Sequence, residues 1–397
     1  MKVEKWTLGL AAVGLVSLPS LVQAEEKASA IMTALSATTI SGYVDTSAHW
    51  DIGTGNANAP GFVYNRGKQD GFNLNAVNVR IDKPLDEAQW AAGYRVDLLF
   101  GPNANIIGTQ SNTALSSGDV AVTQGYVALR APVGNGLDLK LGVFDTIVGY
   151  ESYHSGNNPN YTRSYGNTLE PTTHTGALAT YQLSEMFGLA AGIANTYGPT
   201  INGRSNPPKA ESYKTYMGAI AFTAPESMGF MQGSTLYVGA INGFNNFING
   251  SETLLYVGGT IMTPLKGLKL GASYDYLGSS AEGTTVGDSP YANALALYAS
   301  FQATEKLSFH TRGEYANTDV SGLLALDRGD GEGDKIVALT GTIQYDLWKN
   351  VLSRLEIRWD HSASGRQIYG GDTRAGHSGD PNQKNAVMVA ANVIYKF

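Results

Sequence analysis

From residue 40 onward the chain alternates two kinds of connection, and that alternation limits the folds open to it. Segments with apolar residues at period two read as strands. They fall at about 40–51, 72–82, 88–100, 119–130, 137–150, 172–184, 187–199, 212–224, 233–245, 251–264, 267–279, 290–303, 306–318, 334–347, 350–362 and 386–397. The links 83–87, 131–136, 185–186, 265–266, 304–305 and 348–349 are short, and 225–232 is somewhat longer. The links 52–71, 101–118, 151–171, 200–211, 280–289, 319–333 and 363–385 are long. The link 246–250 is the exception, short where a long one is due. Short turns on one rim and long loops on the other are the asymmetry of a transmembrane antiparallel β-barrel. A soluble sandwich has no reason to keep that rule along its whole length. The expected architecture is all-β, a barrel of about sixteen strands with long extracellular loops and short periplasmic turns.

Strand length and patterning agree with this. At about 3.3 Å per residue and a tilt near 45°, twelve residues rise roughly 28 Å, enough for an apolar band of about 25 Å. In 350–362, Val351, Leu355, Ile357 and Trp359 share one face, and Arg354, Glu356, Arg358 and Asp360 the other. In 88–100, Trp90, Ala92, Tyr94, Val96, Leu98 and Phe100 oppose Arg95 and Asp97; in 306–318, Leu307, Phe309 and Tyr315 oppose His310, Arg312 and Glu314. An Arg or Lys facing lipid at mid-depth costs about 2–4 kcal/mol, so the charged faces are expected to point into a lumen. Sixteen strands enclose more space than wall side chains fill, so that lumen is expected to hold water.

Residues 1–24 read as a secretory signal: Lys2 and Lys5, an apolar run over 8–18, and Val22-Gln23-Ala24 before the cleavage point. Removing them, with two Lys and one Glu, takes the net charge from −7 to −8. Residues 25–38 are a leader and 39–397 the barrel domain. No apolar run of about twenty residues follows the signal, so no spanning helix is expected. With no Cys there is neither a disulfide framework nor a thiolate metal site. The acidic balance and the lack of a basic cluster argue against nucleic acid. No G-x-S-x-G or H-E-x-x-H pattern occurs, and His174 in PTTHTG has no evident partners, so no enzyme is expected. No cofactor is expected. Spaced acids at Asp327, Asp330, Glu332 and Asp334 lack the full calcium-loop pattern, so no metal site is assigned.

The stretches SGYVDTSAHWD (41–51), FNLNAVNVRIDKPLDE (72–87), DVAVTQGYVALRAPVGNGLDLKLGVFDTIVGYE (119–151) and NPNYTRSYGNTLEPTTHTGALATYQLS (158–184) resemble the beta-barrel porins of the OmpL-like type. The likeness is distinctive from 40 to about 200 and blurs to general strand pattern afterwards. It implies a bacterial outer-membrane porin. It carries over no defined substrate and no catalytic residue.

The third long link, Tyr150 to Pro171, is the candidate constriction, by position alone like the third loop of general diffusion porins. It carries Glu151, His154, Arg163 and Glu170. These are expected to face wall charges such as Arg95, Arg354 and Arg358 and to set up a transverse field that filters solutes. The candidate wall set is Arg95, Asp97, Arg312, Glu314, Arg354, Glu356 and Arg358. With Arg80, Lys140 and Asp360 added, six basic members against four acidic lean toward anions, and the loop acids oppose that lean. Passive diffusion of small hydrophilic solutes and ions is the first reading. A substrate-selective channel, with Tyr43, Trp50, Tyr126, Tyr150, Tyr153, Tyr161 and Tyr165 as a sugar track, is the second. A non-conducting structural or adhesion barrel is the third.

The segment 386–397 closes the pattern. Val387, Val389, Ala391, Val393, Tyr395 and Phe397 form one apolar stripe, expected to face lipid. As strand sixteen it should pair with 350–362 and with 40–51. Tyr395 and Phe397 resemble the terminal signal that the outer-membrane assembly machinery reads. A homotrimer is expected by analogy with sixteen-stranded porins.

Overall fold

A computed structural model describes residues 38–397 except 54–55, 62–65, 108, 110–117, 247, 282–289, 320–331 and 373–378. The signal, the leader up to residue 37 and most of the acidic loop, Asp327 and Asp330 included, lie outside the described residues.

Sixteen strands run in order: β1 (Thr39–Ile52), β2 (Gly71–Lys83), β3 (Ala92–Phe100), β4 (Val120–Ala131), β5 (Leu137–Asp145), β6 (Thr173–Gln182), β7 (Phe187–Ala194) and β8 (Thr215–Thr223). They continue with β9 (Thr235–Asn245), β10 (Gly250–Met262), β11 (Leu268–Ala281), β12 (Tyr291–Gln302), β13 (Leu307–Thr318), β14 (Asp334–Trp348), β15 (Val351–Ser362) and β16 (Asn385–Lys396). Each pairs antiparallel with the next, and β1 pairs with β16, so the sheet closes and leaves no edge. Two short helices, α1 (Pro102–Ile107) and α2 (Tyr165–Leu169), sit in the second and third long links.

Closure fixes which face is which. Leu355, Ile357 and Trp359 on β15 are exposed, while Arg354, Glu356, Arg358 and Asp360 are buried. On β16, Val393 and Tyr395 are exposed and Met388, Ala390, Asn392 and Ile394 buried. In a barrel wall the exposed apolar stripe faces lipid and the buried charged stripe faces inward. The terminal strand pairs with β15 on one side and β1 on the other, as its pattern requires. Phe397 extends the second pairing: Gly42 N donates to Phe397 O at 2.9 Å and Phe397 N to Gly42 O at 3.0 Å.

Three ends differ from the periodicity. Trp90 has φ near +65°, a left-handed backbone that breaks a strand, so β3 starts at Ala92. β5 stops at Asp145, five residues early, because Thr146 N turns to Thr172 O and the chain leaves the wall. β7 stops at Ala194. Period-two patterning continues past the last two ends because the following residues pack apolar side chains inside the barrel. Phe144, Ile147, Val148 and Tyr197 join one buried cluster with Ala190, Met217, Tyr237, Ile241, Leu254 and Tyr256. The inward face of β7 to β12 is therefore largely apolar, where alternation alone suggested a wet wall.

Candidate functional site

The third long link does not lie over the rim. Residues 146–172 enter the barrel and cross it, held by side chains of opposite walls. Tyr150 starts the crossing: its hydroxyl is 3.0 Å from Thr260 Oγ1 on β10, and its ring stacks on Tyr298 of β12 at 4.0 Å between centroids. Glu151 Oε1 accepts from Arg312 Nη1 on β13 at 2.8 Å, and its other oxygen accepts from Ser164 N at 2.6 Å. His154 reaches the far wall, with Nδ1 3.0 Å from Tyr43 Oη on β1 and Nε2 3.3 Å from Arg80 Nη2 on β2. Asp97 on β3 lies 3.6 Å from the same Nε2.

The wall arginines hold backbone. Arg354 donates to the carbonyls of Ser155, Asn158 and Asn160 and to Asn392 Oδ1. Arg312 donates to Thr162 O at 3.0 Å and Arg163 O at 3.1 Å, and to Glu314 Oε1 at 2.6 Å. Arg358 donates to Arg163 O at 2.6 Å and grips Asp360. Two wall carboxylates complete the clamp from the acceptor side. Glu356 accepts from Tyr161 N at 2.6 Å and Thr162 N at 2.9 Å; Glu314 accepts from Tyr165 N at 2.7 Å. A loop without regular structure leaves its peptide groups unpaired, so one buried in a barrel needs partners for each. The charged faces of β13 and β15 supply them. Charge-assisted bonds of this kind are about twice as strong as neutral ones.

Arg163, the loop's own cation, serves the loop. Its guanidinium donates to the carbonyls of Ser152, Tyr153 and Tyr161 and so fixes the fold of residues 152–161. Ser164 caps α2 by accepting from Asn167 N at 3.2 Å. Glu170 ends the crossing beside Asp275 of β11. Burial, with Asp275 and then Glu151 nearby, holds its carboxyl well above the usual carboxylate range. Two glycines make the approach: Glu170 lies against Gly149, whose φ is +115°, and Asp275 against Gly166. A side chain at either position would occupy the space the carboxyl takes.

The predicted set is thus brought together, with one change of partner. Glu151, His154, Arg163, Glu170, Arg312, Glu314, Arg354, Glu356 and Arg358 all belong to the docked loop or its clamps. Arg95 does not reach the loop. It bridges Asp82 of β2 at 2.8 Å, while Asp97 serves Arg80 at 2.5 Å. Glu151 takes Arg312, which the sequence had grouped with the wall without choosing it as partner. Arg312 and Arg358 are 0% exposed, so their charges are spent on the loop and not presented to solute. The aromatic track fares similarly. Tyr43, Tyr150, Tyr153, Tyr161 and Tyr165 are buried in loop packing, and Trp50 lies on the lipid side against Phe72. Tyr126 alone of the seven stays half-buried on the inner wall, under Arg95 and Lys140. Sequence reasoning missed Asp275, Thr260, Tyr298 and Tyr369, the last with its hydroxyl 3.3 Å from that of Tyr165. Only Asp275 had a local signal, the single acid of β11 on its inward stripe.

His174 is buried, with Nε2 3.3 Å from Thr146 Oγ1, and no carboxylate pairs with it among the described residues. No group of three or more metal-ligating side chains occurs among the described residues.

Solved structures share the fold. An anion-selective porin from Comamonas acidovorans superposes with a TM-score of 0.57 at 11% identity, covering 91% of this chain and 99% of that one. The outer membrane channel DcaP of Acinetobacter baumannii gives 0.57 at 13%, covering 92% and 99%. Salmonella typhi OmpF, in complex with daunomycin, gives 0.55 at 12%, covering 91% and 97%. No curated protein matches the sequence. A family profile described as "Putative beta-barrel porin-2, OmpL-like" matches residues 37–397. Closed sixteen-strand wall, inward third loop and profile match agree: the chain belongs to the OmpL-like beta-barrel porin-2 family, whose fold and neighbours point to a bacterial outer membrane.

Proposed function

We propose that the protein carries small hydrophilic solutes and ions across the outer membrane by passive diffusion, through a lumen narrowed by residues 151–170. A water-filled path removes the cost of moving a polar solute through hydrocarbon, and the loop sets the width. The observation that carries the reading is the clamp: Arg312, Arg354, Glu314 and Glu356 bind the loop's peptide groups across the barrel. In this reading the wall charges on β13 and β15 position the constriction and do not filter solute directly. The protein acts as a channel and not as an enzyme, in keeping with the family it belongs to. We further propose that residues 1–24 are an export signal and 25–38 a leader to the barrel at 39–397. Tyr395 and Phe397 would serve the assembly machinery, outer-membrane lipid would surround the wall, and three copies would associate.

A second reading, a barrel that passes no current, draws support from the apolar cluster that fills the side of the lumen along β7 to β12. Purified protein in a planar bilayer decides between them. Stepwise single-channel currents, larger in a variant lacking 154–166, support the channel. Folded protein without current supports the closed barrel, and unchanged conductance in the deletion variant removes the constriction.

A further inference from the structure

Inward charges outside the clamp collect near the short-turn rim, on β2 to β5 and on β11. Three are arginines in ion pairs: Arg80 with Asp97, Arg95 with Asp82, and Arg130 with Asp138. In every pair the cation is the more exposed partner. The side chains are 26% against 0%, 23% against 17%, and 19% against 9% exposed. Each pair is neutral as a whole, yet a solute in the lumen meets its positive end. Two lysines add net charge. Lys140, three residues into β5, lies 5.1 Å over the Tyr126 ring, and Lys269 is the second residue of β11. Neither has a carboxylate within 4.0 Å among the described residues. β5 and β11 stand six places apart in the ring of sixteen, so the two ammonium groups approach the lumen from different sides. Inward acids outside the three pairs include Asp346 on β14, which accepts from Gln344 at 3.4 Å, and Asp145 at the end of β5, which attracts Lys140 and Arg95 and accepts from Gln124 at 2.8 Å and Tyr153 at 2.9 Å. His310, inward on β13, accepts from or donates to Ser300 Oγ.

We propose that the short-turn side of the lumen selects small anions, with Lys140 and Lys269 as the selecting residues and Arg80, Arg95 and Arg130 turned toward the path. This rests on the channel reading above. A water-filled path with apolar walls on one side focuses the field of such charges, and an anion entering is drawn in while a cation is repelled. The clamp arginines Arg312 and Arg358 take no part, since they are sealed under the loop. The preference therefore comes from fewer cations than a count of inward arginines implies, and from two lysines that such a count treats as ordinary.

The test uses full-length protein in planar bilayers under a tenfold potassium chloride gradient. The reversal potential of the unmodified protein should show chloride passing more easily than potassium. Exchanging both lysines, Lys140→Glu with Lys269→Glu, should lower the chloride-to-potassium permeability ratio roughly threefold or more, judged from unit charges about 6 Å from the path in water at moderate salt. Heat-modifiable migration in gels checks that the variant folds. Liposome swelling on the unmodified protein gives a second measurement: glucuronate should enter faster than its charge and size relative to glucose would otherwise allow. Potassium preference in the unmodified protein, an unchanged ratio in the folded double variant, or slower glucuronate entry overturns the assignment while leaving the channel intact. Folded protein without any current overturns the channel reading and the assignment together.

Discussion

Replacing Arg312 by Ala should release the loop while leaving the wall closed. The side chain is fully buried and makes bonds to Glu151, Glu314, Thr162 and Arg163. Its removal takes a donor from two carboxylates and two carbonyls, of which Arg163 O keeps Arg358. Glu314 keeps Tyr165 N and the charge of Arg358 at 3.6 Å, and Glu151 keeps Ser164 N. Breaking a buried charged pair costs about 3–5 kcal/mol, mostly as the penalty on the charge left behind. Undocking the loop returns both Glu151 and its carbonyls to water, so most of that penalty favours the undocked state. β13 keeps its ladder to β12 and β14, so the barrel itself is not broken.

The chain has no cysteine, which makes the readout direct. Ser164, 3% exposed on the docked loop, is changed to Cys in both backgrounds and labelled with a hydrophilic maleimide. When docking is fast relative to labelling, the rate follows the undocked population, and each 1.36 kcal/mol is a factor of ten. The lower end of the penalty, about 3 kcal/mol, corresponds to roughly a hundredfold faster labelling in the Arg312→Ala background. Single-channel current should grow in parallel. Labelling within about threefold of the parent rate, in a variant that keeps heat-modifiable migration, would refute the clamp as the source of loop docking.

Two further outcomes follow from particular contacts. Glu170 has its carboxyl raised above the ordinary 4.5 by burial in the docked loop, so docking gains stability fully present below that value and loses it as pH rises through the raised one. Single-channel recordings from pH 5 to 9 should show larger and noisier currents at high pH in the parent, and a flat profile in Glu170→Gln. Deleting Phe397 removes the two backbone bonds to Gly42 and should slow assembly, seen as loss of the heat-modifiable form; assembly at the parent rate would count against its proposed role as signal.

The wall was legible because one physical constraint writes it everywhere. Lipid on one side and polar groups on the other force period two, and closure forces the rims to alternate, so residues such as Leu355, Arg354 and Glu356 declare their faces locally. The loop is not written that way. Its partners lie about 110 to 200 residues away in sequence, as with Tyr43 and His154 or Ser155 and Arg354, and many of them bind peptide groups, which every residue offers. A charge pattern shows that Arg354 points inward and cannot show which backbone it grips. Trp90 failed for a different reason: an exposed aromatic fits a lipid stripe as well as it fits a turn, and only its left-handed backbone separates the two.

The same distinction governs selectivity. Counting inward charges treats Arg312, Arg358, Arg95 and Lys140 alike, since all sit on polar stripes. In the folded barrel they fall into two classes by what covers them. Arg312 and Arg358 are consumed by carbonyls and carboxylates under the loop, and a charge so satisfied adds little field in the path. Arg95 keeps nearly a quarter of its side chain open beside Asp82, and Lys140 rests on Tyr126, attracted by Asp145 but with no carboxylate in ion-pair contact among the described residues. The side chains that hold the constriction and those that greet the solute are thus drawn from one sequence pattern and separated only by the course of residues 151–170. A change to the loop alone, with the wall sequence untouched, would therefore alter ion preference: undocking it would uncover Arg312, Arg354 and Arg358 together with Glu314, Glu356 and Asp360, three charges of each sign, and dilute the preference set by Lys140 and Lys269 as it widens the path.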